Sequence, residues 1–197
     1  MNSFLFLSIP AYPGLVEMVK FGLLMSENIN SSITELTESL QKLYFSCTGR
    51  WNFNGKFYSR TAAVECGGDS LYILKSGGEE SDLFIKCGSQ YIHTGKDFEV
   101  LLNKMKESYS LRQSVTLEGW QYECSDFMVK YAVVLVGIAP VALLIQTKHK
   151  FLAANAMLDE FCTKICSFSQ VQIIPTAEVN RNEHFQILDI LINFKIL

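Results

Sequence analysis

The side chains best suited to chemistry in this chain are its three histidines, its six cysteines and a few charges set among apolar strands. His93, His149 and His184 lie far apart, and none stands in the HxH or HxxxH spacing that brings two imidazoles to one metal. Cys162 and Cys166 share one face of a predicted helix and could hold a soft metal. Two small side chains on a buried stripe explain that spacing better. The cysteines Cys47, Cys66, Cys87, Cys124, Cys162 and Cys166 include no CxxC pair and fall in predicted strands and helices. They read as reduced thiols of a cytosolic or nuclear protein, not as a disulfide framework.

No GxGxxG loop, P-loop or GxSxG elbow is present, and Gly67-Gly68 and Gly77-Gly78 read as turns. Metal-dependent phosphate chemistry in a β-barrel needs acids and bases that alternate along neighbouring strands. The chain has no Glu-x-Glu, and its best strands carry Val, Leu, Ile and Phe. Asp126 and Lys130 share a strand face and read as a rim-exposed pair. Trp120, Tyr122, Phe127 and Tyr131 could stack on bases, but Lys and Arg are not interleaved among them. With a net charge of −3 and no basic run, direct nucleic-acid binding is not expected. No cofactor or metal is implied.

These residues must be positioned by a mixture of short strands and a few helices. The run Ser3–Ile9 reads as a strand broken by Pro10 to Gly14. Leu15 to Met25 is apolar but poorly periodic, so 15–30 is treated as an insertion of uncertain structure. Ser32 and Glu35 have capping-box spacing, and Ile33, Leu36, Leu40 and Leu43 follow at helical intervals, which predicts a helix from Ser32 to Phe45. Asn54-Gly55, between Arg50–Phe53 and Lys56–Tyr58, predicts a two-residue hairpin turn. Leu71–Leu74, Leu83–Ile85 and Tyr91–His93 read as further strands, the last two joined around Gly88-Ser89. A helix is predicted from Asp97 with Phe98, Leu101, Leu102, Met105 and Tyr109 on one face.

The densest β-forming stretch runs from Arg112 to Ile145. It holds strands around Trp120, from Phe127 to Val136 and from Val141 to Ile145, with a break at Gly137–Pro140. The uncharged run between Lys130 and Lys148 is shorter than the ~20 residues of a bilayer helix and is divided by that break. A buried hairpin fits it better, and Ser3–Ile9 is too short and wrongly flanked for a signal peptide. No membrane segment is expected. A third helix is predicted from Ala153 to Phe168, with Met157, Leu158, Phe161, Ile165 and Phe168 inward. After Pro175 a last helix runs from Glu183 to Phe194. It is apolar on more than one face, so it is either sunk between elements or docked on another chain.

The expected architecture is α+β, read as a single domain over residues 1–197: an antiparallel β-barrel of about eight strands with three to four flanking helices. Nearly half of the residues are hydrophobic and fewer than a fifth are charged, which favours a surface destined for a partner. The expected anchors are Trp120, Tyr122, Phe127 and Tyr131 on the strands, with Phe185, Leu188 and Ile192 on the last helix.

Two blocks carry a family resemblance. Asp97-Phe98-Glu99 through Lys104-Met105-Lys106 resembles an acid/Asn-Phe-acid-x-x-x-x-Lys-apolar-Lys segment. Gly119–Lys130, with Tyr122, Asp126, Phe127, Val129 and Lys130, resembles a Tyr-x-x-x-Asp-Phe-apolar-Val-Lys block. Both are features of Mediator complex subunit 20, of the head module, and the similarity extends from about His93 to Phe168. The resemblance implies a nuclear, non-enzymatic subunit of the coactivator that bridges activators and RNA polymerase II. It also implies a barrel with flanking helices, distantly like the triphosphatase barrels but without their catalytic side chains. The implied partners are Mediator subunit 18, a similar barrel, and subunit 8, which tethers that pair. Contacts toward RNA polymerase II and the TATA-binding protein are implied as indirect or weak. The stretch at Leu15–Asn30 is longer than the connection the family leads one to expect. The rival readings are a metal-dependent triphosphatase-like barrel enzyme and a barrel that holds a small apolar ligand.

Overall fold

Ala142 through Thr147 are all buried, so the strand that carries them must be covered on both faces. The computed structural model describes residues 18–25, 28–61, 70–77, 82–105, 107–149, 155–165, 172–174 and 182–197. The elements are β1 (Met18–Leu24), α1 (Ile29–Lys42), β2 (Ser46–Arg50), β3 (Phe53–Arg60), β4 (Leu71–Ser76), β5 (Leu83–Cys87), β6 (Gln90–Thr94), α2 (Asp97–Lys104), β7 (Tyr109–Cys124), β8 (Phe127–Val136), β9 (Ala139–His149), α3 (Asn155–Ile165), β10 (Gln172–Ile174) and α4 (Glu183–Asn193). All ten strands belong to one antiparallel sheet in the order β10-β1-β9-β8-β7-β3-β4-β5-β6. β2 continues the line of β3 along the same edge of β7.

The strand period sorts the apolar residues onto two faces. One face carries Phe21, Leu23, Phe53, Leu74, Phe84, Leu117, Val134 and Leu144, packed against Ile187, Leu188, Ile190 and Leu191 of α4. The other carries Tyr122, Val129, Tyr131, Leu143 and Ile145 beneath Leu36 and Leu40 of α1 and Ile165 of α3. Further along that second face, Leu71, Ile73, Leu83 and Ile85 receive Leu102 of α2.

The contacts of α4 require the sheet to curl. Glu183 bonds Lys130 on β8 and Gln146 on β9, while Asp189 bonds Lys86 on β5 and Tyr91 on β6. In a flat sheet β9 and β6 would stand about 29 Å apart, yet the two acids are separated by only about 9 Å of helix rise. The sheet therefore wraps around α4. It is not closed among the described residues, since β10 and β6 remain its two edges.

Several sequence expectations change. The stretch read as an insertion supplies β1, which lies between β9 and β10. Its poor periodicity reflects cover on both faces, Phe21 and Leu23 on one and Leu24 on the other. Asn54-Gly55 is no hairpin turn but the middle of β3, paired with both β4 and β7. Glycine is needed there for close approach, because a Cβ would meet Val115 Cγ2 at 2.6 Å and Leu197 Cδ1 at 2.9 Å. Helix α1 begins three residues early, at Ile29. Ser32 lies inside it, with its hydroxyl donating to the Asn28 carbonyl at 3.4 Å, so there is no capping box. In α2, Leu101 is exposed and Tyr109 already belongs to β7; the buried face of two turns is Phe98 and Leu102.

The reading of a hairpin in the uncharged apolar run holds. The β8–β9 hairpin turns at Gly137-Ile138, with Gly137 at φ 64°. No helix among the described residues is long and apolar enough to cross a membrane. The expectations for Ser3–Ile9, Pro10–Gly14, Cys66, Gly67-Gly68, Cys166, Phe168 and Pro175, and for the side chains of Met157 and Leu158, lie outside the described residues.

Gly119 sits where β7 and β8 press together: a Cβ there would overlap the carbonyl oxygen of Tyr131 and lie 2.6 Å from Ala132 Cα. Replacing it with alanine should cost about 2–3 kcal/mol or more in a chemical-denaturation experiment. Gly49→Ala, where a Cβ meets nothing within 4 Å, is the matched control and should change stability far less.

Candidate interaction surface and the seat of the last helix

The expected anchors fall into two groups that the sheet separates. Trp120, Tyr122, Phe127 and Tyr131 share the face covered by α1 and α3, because the β7–β8 register sets Trp120 opposite Tyr131 and Cys124 opposite Phe127. Tyr122 and Tyr131 are buried and stack at 5.8 Å, and the Tyr131 hydroxyl is 3.3 Å from Thr37 Oγ1 of α1. Burial first, and then the neighbouring Tyr131, push the Tyr122 hydroxyl up to about 12. It stays a neutral donor at any working pH. Phe127 is held between Phe161 of α3, at 4.4 Å, and the edge of His149, at 4.6 Å. Trp120 is only half-buried, and the guanidinium of Arg50 lies 4.0 Å from its ring centroid.

The second group lies on the opposite face. Leu188 is fully buried in the core, so the last helix is sunk inside the fold of this chain. Phe185 is half-buried and meets Phe84 and Tyr91 edge-on at 5.5 and 5.2 Å. Ile192 is half-buried against the same core. Of the seven anchors, Trp120, Phe127, Phe185 and Ile192 keep accessible surface, and they do not form one patch.

Around α4 the structure assembles polar residues that sequence spacing left scattered. Lys130 does not pair with Asp126 but with Glu183, at 3.3 Å, and Gln146 donates to the same carboxylate at 2.9 Å. Lys86 and the Tyr91 hydroxyl both reach Asp189, at 2.6 and 2.8 Å. His93 and His184 lie on the two faces of Phe84, at 4.7 and 4.1 Å, with the rings nearly parallel. The first contact follows from the β5–β6 hairpin, whose register puts Phe84 opposite His93. The second depends on where α4 docks, for which no local signal exists. Cys162 is buried with its Sγ 2.8 Å from Thr147 Oγ1. Among the described residues no group of three His, Cys, Asp or Glu side chains converges to hold a metal.

The family described as the TATA-binding related factor (TRF) of subunit 20 of Mediator complex matches residues 19–194. The chain belongs to this family. No curated protein matches the chain. The chain is similar to a chain of the Mediator head module of Schizosaccharomyces pombe, with 12% identity, 80% of this chain and 99% of that one covered, and a TM-score of 0.42. It is also similar to the PH1012 protein of Pyrococcus horikoshii OT3, at 9% identity, with 82% and 98% of the two chains covered and a TM-score of 0.48. An RNA triphosphatase of Schizosaccharomyces pombe is similar at 10% identity, with 92% of this chain and 85% of that one covered and a TM-score of 0.33. None of the three bears on which residues of the chain act.

In this Mediator subunit 20 family member, the N-terminal turn of α4 carries two adjacent groups whose pKa values both lie below their ordinary values. Burial holds the His184 imidazole below its ordinary value, Lys130 and His93 add to that, and Glu183 and Asp82 oppose it. Burial works to raise Glu183, but Lys130, Gln146 and His184 outweigh it, so its pKa falls below the usual 4.5. Both shifts make acid destabilising. For His184 the unfolded chain takes up its proton near 6.5 and the folded chain only at lower pH, so stability declines as pH falls below about 6.5. For Glu183 the stabilisation is present above 4.5 and is lost as pH falls through its folded pKa. The melting temperature should therefore drop in two stages as pH falls, the upper beginning below about 6.5 and the lower below about 4.5, and His184→Phe should flatten the upper one.

Proposed function

We propose that the chain is a non-catalytic subunit of the Mediator head module, acting in the nucleus in RNA polymerase II transcription. In this reading it forms a heterodimer with Mediator subunit 18, is connected through subunit 8 to the rest of the head, and helps transmit regulatory signals to polymerase. Contacts with RNA polymerase II and the TATA-binding protein are indirect or weak. The observation that carries the reading is the family match over residues 19–194. The filled concave face supports it. A barrel enzyme would keep that face open for substrate, and a ligand-binding barrel would keep it empty and apolar. Here Ile187, Leu188, Ile190 and Leu191 occupy it, and its inward lysines Lys86 and Lys130 are answered by acids of the same helix.

Within this reading the corner at Trp120 and Phe127 is the better docking anchor. A half-buried tryptophan under an arginine is the kind of group that dominates interfaces. On co-expression with subunit 18, the two chains should co-purify as a stoichiometric pair. Trp120→Ala should weaken that pair at least about tenfold in a titration, since truncated hot spots cost about 2 kcal/mol or more. Leu188→Ala should instead lower the stability of the chain itself by about 2–5 kcal/mol. A monodisperse monomer without affinity for subunit 18, or robust phosphate release from triphosphate with Mg²⁺ or Mn²⁺, would overturn the reading.

A further inference from the structure

The segment Asp97–Lys106 singled out in the sequence has a role that core packing does not exhaust. In the helix Asp97–Lys104, Phe98 and Leu102 face the core, and Glu99, Leu102 and Asn103 border a cavity. The cavity has a volume of about 200 Å³ and lies between α2 and the outer side of β3 and β4. Ile73 and Leu102 give it an apolar floor, and Asn54, Tyr58 and Asn103 line it with polar groups. Lys56 and Lys75 converge there on the single carboxylate of Glu99. Lys75 holds it tightly at 2.9 Å, and Lys56 stands off at 3.7 Å. Burial and the charge of Glu99 keep the Tyr58 hydroxyl protonated, so it remains a donor. On the next row of the helix, four residues apart, lie Lys96, Val100 and Lys104, all exposed, with Val100 56% accessible.

This is a positive region on a chain of net charge −3: Lys56, Lys75, Lys96 and Lys104 outnumber Asp97 and Glu99 around it. We propose that the cavity beneath α2 is a docking site for an acidic, amphipathic protein segment. One carboxylate of the segment enters the cavity between Lys56 and the amide groups of Asn54 and Asn103, while a neighbouring apolar side chain lies on Val100. Charge complementarity selects the acidic occupant. The exposed valine and the apolar floor select a peptide over a bare phosphate or a nucleic-acid backbone, which would leave them unused. Lys75 and Glu99 hold each other in place and fix the position of the cavity wall. The site lies on β3, β4 and α2, and Trp120 is not among the residues that line it.

The test is a fluorescence-anisotropy titration of the full chain with a labelled peptide of alternating Asp/Glu and Leu/Phe. Saturable binding should weaken at least tenfold in the Lys56→Gln/Lys75→Gln double variant and severalfold in Val100→Ser. Each variant is checked by circular dichroism and melting temperature. As a gain-of-function variant that leaves the existing lysines in place, Asn103→Lys should tighten binding. Replacing the acids of the peptide by Asn and Gln should abolish it, and inorganic tripolyphosphate should not compete at equal charge. Unchanged affinity in the folded double variant together with no gain from Asn103→Lys would overturn the site. Full competition by tripolyphosphate would overturn the acidic-segment assignment in favour of a general anion site.

Discussion

The structure depends on one helix filling one concave surface. Ile187, Leu188, Ile190 and Leu191 of α4 present apolar groups toward strands on both halves of the sheet. Burying them on both sides is possible only if the sheet curls around the helix. Hydrophobic burial supplies the driving force, and it is indifferent to direction. The direction comes from polar contacts at two heights of the helix: Glu183 with Lys130 and Gln146 near its start, and Asp189 with Lys86 and Tyr91 further on. Half-buried ion pairs of this kind contribute little net stability, but reversing the helix would leave each charge facing apolar wall.

Burial also explains one glycine and two left-handed residues of the backbone. Gly55 leaves room for Leu197, which follows α4 back onto β3 and β7. The chain turns there through Lys195 at φ 56°, with Ile196 N–H donating to the Leu191 carbonyl at 2.8 Å. Helix α1 ends the same way, with Tyr44 at φ 61° and Phe45 N–H donating to Leu40. Glycine is the usual residue at such a position. At both ends a larger residue accepts the left-handed backbone because the next residue, Ile196 or Phe45, must enter the core.

Much of the fold was legible because the signals were local. The β8–β9 hairpin follows from two apolar runs around a Gly-Ile turn, the β5–β6 hairpin from Gly88-Ser89, and α4 from its apolar density. Legibility failed where a local pattern had two physical causes. Asn-Gly marks a hairpin when the chain must reverse, yet at Asn54-Gly55 the glycine answers a neighbour distant in sequence. Strand β1 was illegible because a strand covered on both faces loses its alternation. The candidate anchors show a similar split. Their apolar, aromatic character was plain, but Tyr122, Tyr131 and Leu188 spend it inside the chain, whereas Trp120 and Phe127 keep surface.

The sequence by itself determined the class of the protein: an antiparallel, mostly apolar sheet with amphipathic helices, and two blocks resembling Mediator subunit 20. Those features rest on residue type and short spacing, which do not need the third dimension. Only the tertiary structure decided which acid answers which lysine, that two distant histidines flank one phenylalanine, and that the expected anchors lie on opposite faces. Each of those outcomes depends on the curl of the sheet and the seat of α4. Both arise from packing between residues far apart in the chain, where no local periodicity carries the information.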